Sequence, residues 1–92
     1  MSYFVYVLAS GPQTDLYTGL TEDLLDRTRR HRSCAKQGRT PRLVYFETFE
    51  RLNDAAAREK RLKALHRDWQ IDVVEAVNPD WRDLFPSLEA KR

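Results

Sequence analysis

Four side chains of this sequence carry groups that can act on a phosphodiester: the phenols of Tyr6 and Tyr17, the guanidinium of Arg27 and the imidazole of His31. Arg27 and His31 are four residues apart, so they share one face of any helix that contains both. A guanidinium neutralises phosphate charge, and an imidazole or a phenol can transfer a proton to or from water. We therefore ask whether the fold brings these four groups onto one surface.

Each of the four side chains also has an ordinary structural explanation. Tyr6 and Tyr17 fit half-buried aromatic positions of a sheet. Arg27 can form an ion pair with Asp23, four residues earlier, and His31 can be a surface histidine near the end of a helix. The pattern alone leaves both explanations open.

The elements that hold these residues begin with a predicted hairpin. Residues 4–8 and 16–20 are rich in aromatic and branched side chains and predict two strands, and the turn-forming residues 10–15 link them. A tight link of this kind implies antiparallel pairing. Tyr6 and Tyr17 would then lie on neighbouring strands.

A helix is predicted directly after the hairpin. Thr21 is expected to be its N-cap, with Glu22 and Asp23 in the first turn. Arg29 and Arg30 come late in the helix, where cations suit its dipole. This helix would carry Arg27 and His31.

The second half of the chain predicts one more strand and two helices. Residues 43–49 have the composition of a strand, and Asn53 or Asp54 is expected to cap a helix that runs to about Arg67. A further helix from about Asp68 is expected to end at Asn78, before Pro79. It would bury one apolar face, and a last apolar turn would close the core. The face comprises Trp69, Val73, Ala76 and Val77, and the turn comprises Trp81, Leu84 and Phe85.

The predicted fold is therefore a small α+β domain with a three-stranded antiparallel sheet flanked by helices, in the order ββαβαα. We assign residues 1–85 to the domain and residues 86–92 to a C-terminal tail. The length of 92 residues, with 41% hydrophobic and 33% charged residues, suits one globular core. One cysteine, Cys34, excludes an internal disulfide and favours a reduced, cytoplasmic protein. We expect no signal peptide and no membrane anchor.

Positive charge is concentrated in two stretches, although the formal net charge is only +2. Residues 27–42 and 58–67 together contain 12 of the 16 Lys and Arg residues but one of the 14 Asp and Glu residues. Segregation of this kind favours a polyanionic partner, and a solvated helix face is the alternative. The cations that we expect to contact nucleic acid are Arg29, Arg30, Arg32, Lys36 and Lys63.

Glu59 is a candidate metal ligand. On a helix it shares a face with Ala55, Leu62 and His66, so its carboxylate would lie among apolar side chains. A buried carboxylate requires a cation or a strong hydrogen-bond donor, and Mg²⁺ commonly uses one or two protein carboxylates with water completing its shell. The alternative is an ordinary ion pair with Lys63.

Taken together, these residues resemble the GIY-YIG nuclease family, and the resemblance covers nearly the whole chain. Val5-Tyr6-Val7 and Tyr17-Thr18-Gly19 stand where the two family triplets belong, and Arg27 and His31 follow in the family's strand-to-helix pattern. Three later segments are also similar to the small bacterial members. They are Leu43-Val44-Tyr45-Phe46-Glu47, Ala57-Arg58-Glu59-Lys60-Arg61-Leu62-Lys63 and Asn78-Pro79-Asp80-Trp81-Arg82-Asp83-Leu84.

The resemblance implies a metal-dependent endonuclease that hydrolyses phosphodiester bonds in DNA with a single Mg²⁺ or Mn²⁺. By the same resemblance Glu59 holds the metal and Arg27 neutralises the phosphate. The remaining implied site residues are Tyr6, Tyr17 and His31 around the attacking water, with Asn78 and Gly19 supporting the site.

Two other functions stay open at this point. One is a nucleic-acid-binding module that has lost catalysis, and the other is a protein-interaction domain. The sequence contains no zinc-finger or helix-turn-helix pattern, which favours recognition of DNA structure over DNA sequence. A steep fall of binding affinity with salt would separate a nucleic-acid partner from a protein partner.

Overall fold

The computed structural model describes residues 2–10, 15–33 and 40–90. It shows an α+β fold with three strands, as the sequence predicts. Cys34 and Lys36 lie outside the described residues, as do residues 11–14 of the hairpin link. The elements are β1 (Tyr3–Ser10), β2 (Asp15–Thr21), α1 (Leu24–Ser33), β3 (Arg42–Phe49), α2 (Leu52–Ala64), α3 (Arg67–Val77) and α4 (Phe85–Ala90).

The sheet has the strand order β2-β1-β3, and both pairings are antiparallel. The predicted hairpin is confirmed, because β1 pairs along its length with β2 and places Tyr6 opposite Gly19. On the other side Tyr6 is opposite Phe46, and the register with β3 shifts between Val7 and Leu8. The central strand is thus the one that carries Tyr6.

Helices cover both faces of this sheet, and β1 alternates between the two layers. Val5 and Val7 pack on one face with residues of α2 and α3, whereas Tyr6 and Leu8 pack on the other face with residues of α1 and α4. The period of two along a strand produces this division. The central strand is consequently buried on both sides.

Helix α1 begins at Leu24, and its cap is two residues later than the predicted Thr21. The backbone N–H of Asp26 donates to Oδ1 of Asp23 at 3.0 Å, so Asp23 is the side chain that caps the helix. Thr21 remains in β2, opposite Phe4, and its Oγ1 accepts the N–H of Asp23 at 3.1 Å. The prediction of Thr21 as the cap was wrong because strand pairing holds that residue.

Helix α2 also differs from its predicted boundaries. It begins at Leu52 after Arg51, which makes no side-chain cap hydrogen bond, so neither Asn53 nor Asp54 caps it. It ends at Ala64, where the next residue is extended. His66 therefore does not share the buried face of α2. It precedes α3 and is exposed.

Helix α3 ends at Asn78 as predicted but buries a different face. Val74 and Asn78 are buried, whereas Trp69 is 63% exposed and Val77 is 67% exposed. The apolar residues of α3 occupy more than one face, and the contacts of Val74 with the core of α2 and the sheet select the face that is buried. Of the predicted face, Val73 is partly buried against this core, whereas Trp69, Ala76 and Val77 are exposed, so the prediction was wrong at those three positions.

The C-terminal segment closes both layers of the core. Trp81 is buried on the face of α2 and α3, and Phe85 is buried on the opposite face. Trp81 adopts a left-handed backbone with φ 55°, which costs a non-glycine residue about 1–2 kcal/mol. Residues 86–90, expected as tail, are helical instead, and Leu88 packs on the core.

No helix within residues 2–10, 15–33 and 40–90 is long and apolar enough to span a membrane.

Candidate active site

The site lies where the side chain of Tyr6 crosses over Gly19 of the neighbouring strand. A Cβ atom at Gly19 would lie 2.6 Å from both Cζ and Oη of Tyr6, closer than any carbon can approach. Because glycine has no Cβ, the phenol can lie flat across β2. Gly19 therefore sets the position of the Tyr6 hydroxyl.

Tyr6, Tyr17 and His31 form one group, which we call the phenol–imidazole cluster. The Tyr6 hydroxyl is 3.2 Å from Nε2 of His31. The ring centroids of Tyr17 and His31 are 4.9 Å apart, and each is 6.1 Å from the centroid of Tyr6. Tyr6 is buried and Tyr17 is 48% exposed, so the cluster reaches from the core to the surface.

The surroundings of Tyr6 and His31 keep these two groups uncharged near neutral pH. Burial raises the pKa of the Tyr6 phenol far above its usual range, and the neighbouring Tyr17 raises it further. Burial also lowers the pKa of His31, as does the positive charge of Arg27. Tyr6 is thus held as a hydroxyl donor, and His31 as a neutral imidazole that can accept a proton.

Arg27 lies on the exposed side of the cluster. Its charge acts on both Tyr6 and His31, lowering the pKa of each. Asp23, its alternative partner, uses Oδ1 to cap α1. The spacing of Arg27 and His31 along α1 therefore brings both side chains to the same cluster, as the sequence predicts.

Glu59 lies on α2, and its negative charge makes a small contribution to the raised pKa of Tyr6. Its side chain is 24% exposed, and Oε2 lies 3.1 Å from Nζ of Lys63. The ion pair that was the alternative explanation is therefore present. Ion pairs between residues four apart on a helix contribute only about 0.3–0.5 kcal/mol, so this pair adds little to the stability of the fold.

The residues around Glu59 fit one kind of metal ion. Among the described residues, no three His, Cys, Asp or Glu side chains converge as a metal-binding group. A structural zinc site needs such a set, whereas Mg²⁺ keeps several waters and accepts one carboxylate with substrate phosphate oxygens. The donor set thus fits a hard cation that is held jointly with a substrate.

Residues 2–72 match the model of the GIY-YIG catalytic domain. This chain belongs to the GIY-YIG family. The match contains every member of the phenol–imidazole cluster together with Gly19, Arg27 and Glu59. It places the chain in a family of nucleases.

Relatives of this GIY-YIG domain are small proteins of similar length. A UPF0213 protein of Clostridium perfringens is 36% identical over 78 residues, covering 79% of this chain and 83% of the relative. One from Desulfotalea psychrophila is 33% identical and covers 98% of this chain and 87% of the relative. The solution structure of a UPF0213 protein from Bacillus halodurans matches with a TM-score of 0.61 at 28% identity, covering 90% and 93% of the two chains.

A polar network on the opposite face of the sheet supports α2 of the GIY-YIG domain. Oε1 of Glu47 accepts hydrogen bonds from the Tyr45 hydroxyl at 2.6 Å and from Nε of Arg58 at 2.7 Å. Arg58 directly precedes Glu59, so this network fixes the rotation of α2 at the candidate ligand. The sequence pattern did not predict this network. The available signal was Glu47, an acidic residue two positions after Tyr45 on the inward face of β3.

The arginines predicted to contact DNA are engaged within the protein. Arg29 pairs with Glu89 at 2.9 Å, and Arg30 pairs with Asp26 at 3.1 Å. Arg32 pairs with Asp83 at 2.7 Å and stacks on the ring of Phe85 at 4.8 Å. Arg32 is thus a structural residue, and Arg29 and Arg30 have part of their charge neutralised.

Asn78 has a structural place as well. Its side-chain amide donates to the backbone oxygens of Val44 at 3.0 Å and Arg82 at 2.9 Å, and its Oδ1 accepts the Arg82 N–H at 3.0 Å. It ends α3 and ties the following turn to β3. Asn78 therefore supports the fold beneath the site rather than contacting the phenol–imidazole cluster.

Proposed function

We propose that this GIY-YIG protein is a metal-dependent endonuclease that hydrolyses phosphodiester bonds in DNA and selects its substrates by structure. The proposal depends mainly on one observation. Tyr6, Tyr17 and His31 converge at the edge of β2, and the charges of Arg27 and Glu59 act on the same cluster. Hydrolysis of a phosphodiester needs these groups in one place.

Glu59 would hold a single Mg²⁺ or Mn²⁺, which when bound supplies Lewis acidity and a water of lowered pKa. Lys63 would leave the carboxylate as the cation and substrate arrive. Its side chain is half exposed, so its ammonium can turn toward solvent or toward a phosphate.

The phenol–imidazole cluster would receive the proton of the attacking water. As the water oxygen bonds to phosphorus, its proton passes to the Tyr6 oxygen, while the Tyr6 proton passes to Nε2 of His31. The bond from phosphorus to the leaving oxygen then breaks, the leaving oxygen takes a proton from solvent, and His31 returns its proton to solvent. This direction agrees with the two pKa shifts, because Tyr6 is held protonated and His31 is held neutral.

Arg27 would bind a non-bridging phosphate oxygen and stabilise the negative charge that develops there. A guanidinium can hold two phosphate oxygens at once. Its position beside His31 would then fix the phosphorus within reach of the attacking water.

Selection by structure is the other part of the proposal. Arg27 recognises a phosphate and the half-exposed ring of Tyr17 can stack on any base, and neither contact reads a base sequence. We therefore expect flaps, forks and single strands to be distinguished by their shape.

The test compares Glu59→Gln with Glu89→Gln, a matched change at a glutamate that pairs with Arg29 away from the cluster. Purified proteins are incubated with Mg²⁺ or Mn²⁺ and a panel of flaps, forks, single strands and duplexes. We expect Glu59→Gln to abolish cleavage without lowering the melting temperature, and to keep or tighten DNA binding because a negative charge is lost. Glu89→Gln should cleave like the wild type.

Absence of cleavage by the wild type on every substrate would contradict the proposal. Salt-sensitive DNA binding in that case would identify a nucleic-acid-binding module instead. Equal activity of wild type and Glu59→Gln would show that Glu59 is not the metal ligand.

A further inference from the structure

An open cleft of about 430 Å³ lies beside the phenol–imidazole cluster. It is bounded by the end of β2, the outer face of α1 and the first residue of α2. Its apolar lining consists of Tyr3, Leu20 and Leu52. Leu52 is 49% exposed, so its side chain is accessible to a group that enters the cleft.

Arg27 lines this cleft and also acts on Tyr6 and His31. The cleft is therefore continuous with the candidate phosphate position, although Tyr6, Tyr17, His31 and Glu59 do not line it. A nucleotide chain held at Arg27 would have one of its neighbouring groups at the mouth of the cleft.

The charges at the rim indicate which group that is. Carboxylates of Glu22, Asp23 and Asp26 lie there and outnumber the two arginines of the lining, Arg27 and Arg30, of which Arg30 pairs with Asp26. Carboxylates repel a phosphate but accept hydrogen bonds from the amino groups of a base. The apolar and aromatic lining suits the flat face of a base and does not suit a sugar or a phosphate.

We propose that this cleft binds an unpaired nucleobase of the nucleotide next to the scissile phosphate, with a preference for bases that carry an exocyclic amino group. The inference rests on the proposed nuclease function and adds the basis of its structural selectivity. A base in a duplex must leave the stack before it can enter such a cleft, so mismatched, flapped and single-stranded nucleotides are favoured.

The first experiment measures how cleavage depends on that base. The substrate is a duplex with one unpaired nucleotide, which carries guanine in one version and is abasic in the other. We expect the wild type to cleave the guanine version about tenfold faster than the abasic version, which is the effect expected from the stacking of one base. In Leu52→Glu, where a carboxylate enters the apolar lining, the ratio of the two rates should fall to about one.

Val77→Glu is the matched control, because Val77 is also exposed and lies on α3, away from the cleft. It adds the same charge and should keep the wild-type ratio. The new carboxylate of Leu52→Glu also repels the DNA backbone. This repulsion lowers the cleavage rates of the guanine and abasic substrates alike, so it cancels in the ratio of the two rates. A wild-type ratio near one, or equal ratios in the two variants, would overturn the proposal.

The second experiment separates the cleft from the chemistry. Wild-type protein in EDTA is titrated into single-stranded ten-nucleotide probes that carry 2-aminopurine at each position in turn, and the fluorescence is recorded. We expect one or two positions to respond, and Leu52→Glu to remove that response. A response without cleavage in Mg²⁺ would support the cleft and contradict the nuclease proposal. Cleavage without any position-specific fluorescence response would support the nuclease proposal and contradict the cleft proposal.

Discussion

Helix α1 supplies arginines to two polar clusters that use them differently. Arg32 lies between Asp83, the backbone oxygen of Pro41 and the ring of Phe85, and its Nη1 donates hydrogen bonds to the first two. Arg27, five residues earlier, is exposed beside uncharged phenol and imidazole groups. Two arginines of one helix thus have different surroundings: Arg32 is bound within the protein, and Arg27 is exposed beside the phenol–imidazole cluster. The charge of a segment alone does not distinguish them.

The largest effect should come from removing Arg27. Arg27→Ala is expected to lower the cleavage rate by about 10²–10³, the cost of one charge-stabilising donor in a transition state. The melting temperature should stay within about a degree or two, as for most exposed positions. Arg29→Ala is the control, since Arg29 pairs with Glu89 at the surface. If both variants lose activity equally, Arg27 has no role that distinguishes it from an ordinary surface arginine of α1.

Asp83→Ala should have the next largest effect, and on stability instead of catalysis. Asp83 accepts hydrogen bonds from Arg32 and from the N–H groups of Leu43 and Phe85. Losing them should lower the free energy of unfolding by about 2–4 kcal/mol. Glu89→Ala removes an exposed pair and should cost under about 1 kcal/mol. Urea unfolding of both variants measures these losses of unfolding free energy. The cleavage rate per folded molecule should be unchanged in both.

Gly19→Ala tests the contact that places Tyr6. The added Cβ must push the phenol away, which should destabilise the fold by about 1–3 kcal/mol, as overpacking typically does. Activity should fall further than this loss explains, because the Tyr6 hydroxyl moves away from His31. Comparing cleavage at a temperature where both proteins are fully folded isolates that part. Unaltered activity would mean that the position of Tyr6 does not matter.

The smallest effect is a pH dependence carried by His31. Its pKa is lower in the folded state, so the unfolded chain binds the proton more readily. The contribution of His31 to the free energy of unfolding is therefore complete above the usual imidazole pKa of about 6.5. It is lost as the pH falls below that value. Cleavage should decline over the same acidic range, since His31 must be neutral to accept a proton. His31→Gln should flatten this part of the stability profile, and an unchanged profile would contradict the assignment.

Much of the fold follows from local sequence. The aromatic and branched residues of 4–8 and 16–20 and the turn residues between them are sufficient for the hairpin, and the four-residue spacing of Arg27 and His31 is sufficient to put them on one face of α1. The helix starts were less predictable. Thr21 and Asp23 are both good caps, and only the pairing of Thr21 with Phe4 in the sheet decides between them.

The partners of the arginines could not be read from local sequence. Arg29 pairs with a residue 60 positions away, and Arg32 with one 51 positions away. Both acids lie in the C-terminal segment, which a pattern of short period does not connect to α1. The buried face of α3 likewise could not be predicted from local sequence, because contacts from β1 and α2 select Val74 over Trp69.

The two tryptophans differ in exposure, so their intrinsic fluorescence can report on the folding of the C-terminal segment. Trp81 is buried with its indole N–H donated to Glu75 at 2.8 Å, whereas Trp69 is largely exposed, and the chain contains only these two. Iodide in solution should quench the emission of Trp69 and leave that of Trp81 unaffected. A Trp69→Phe variant would therefore carry a single buried fluorophore, whose red shift reports detachment of the C-terminal segment without any added label.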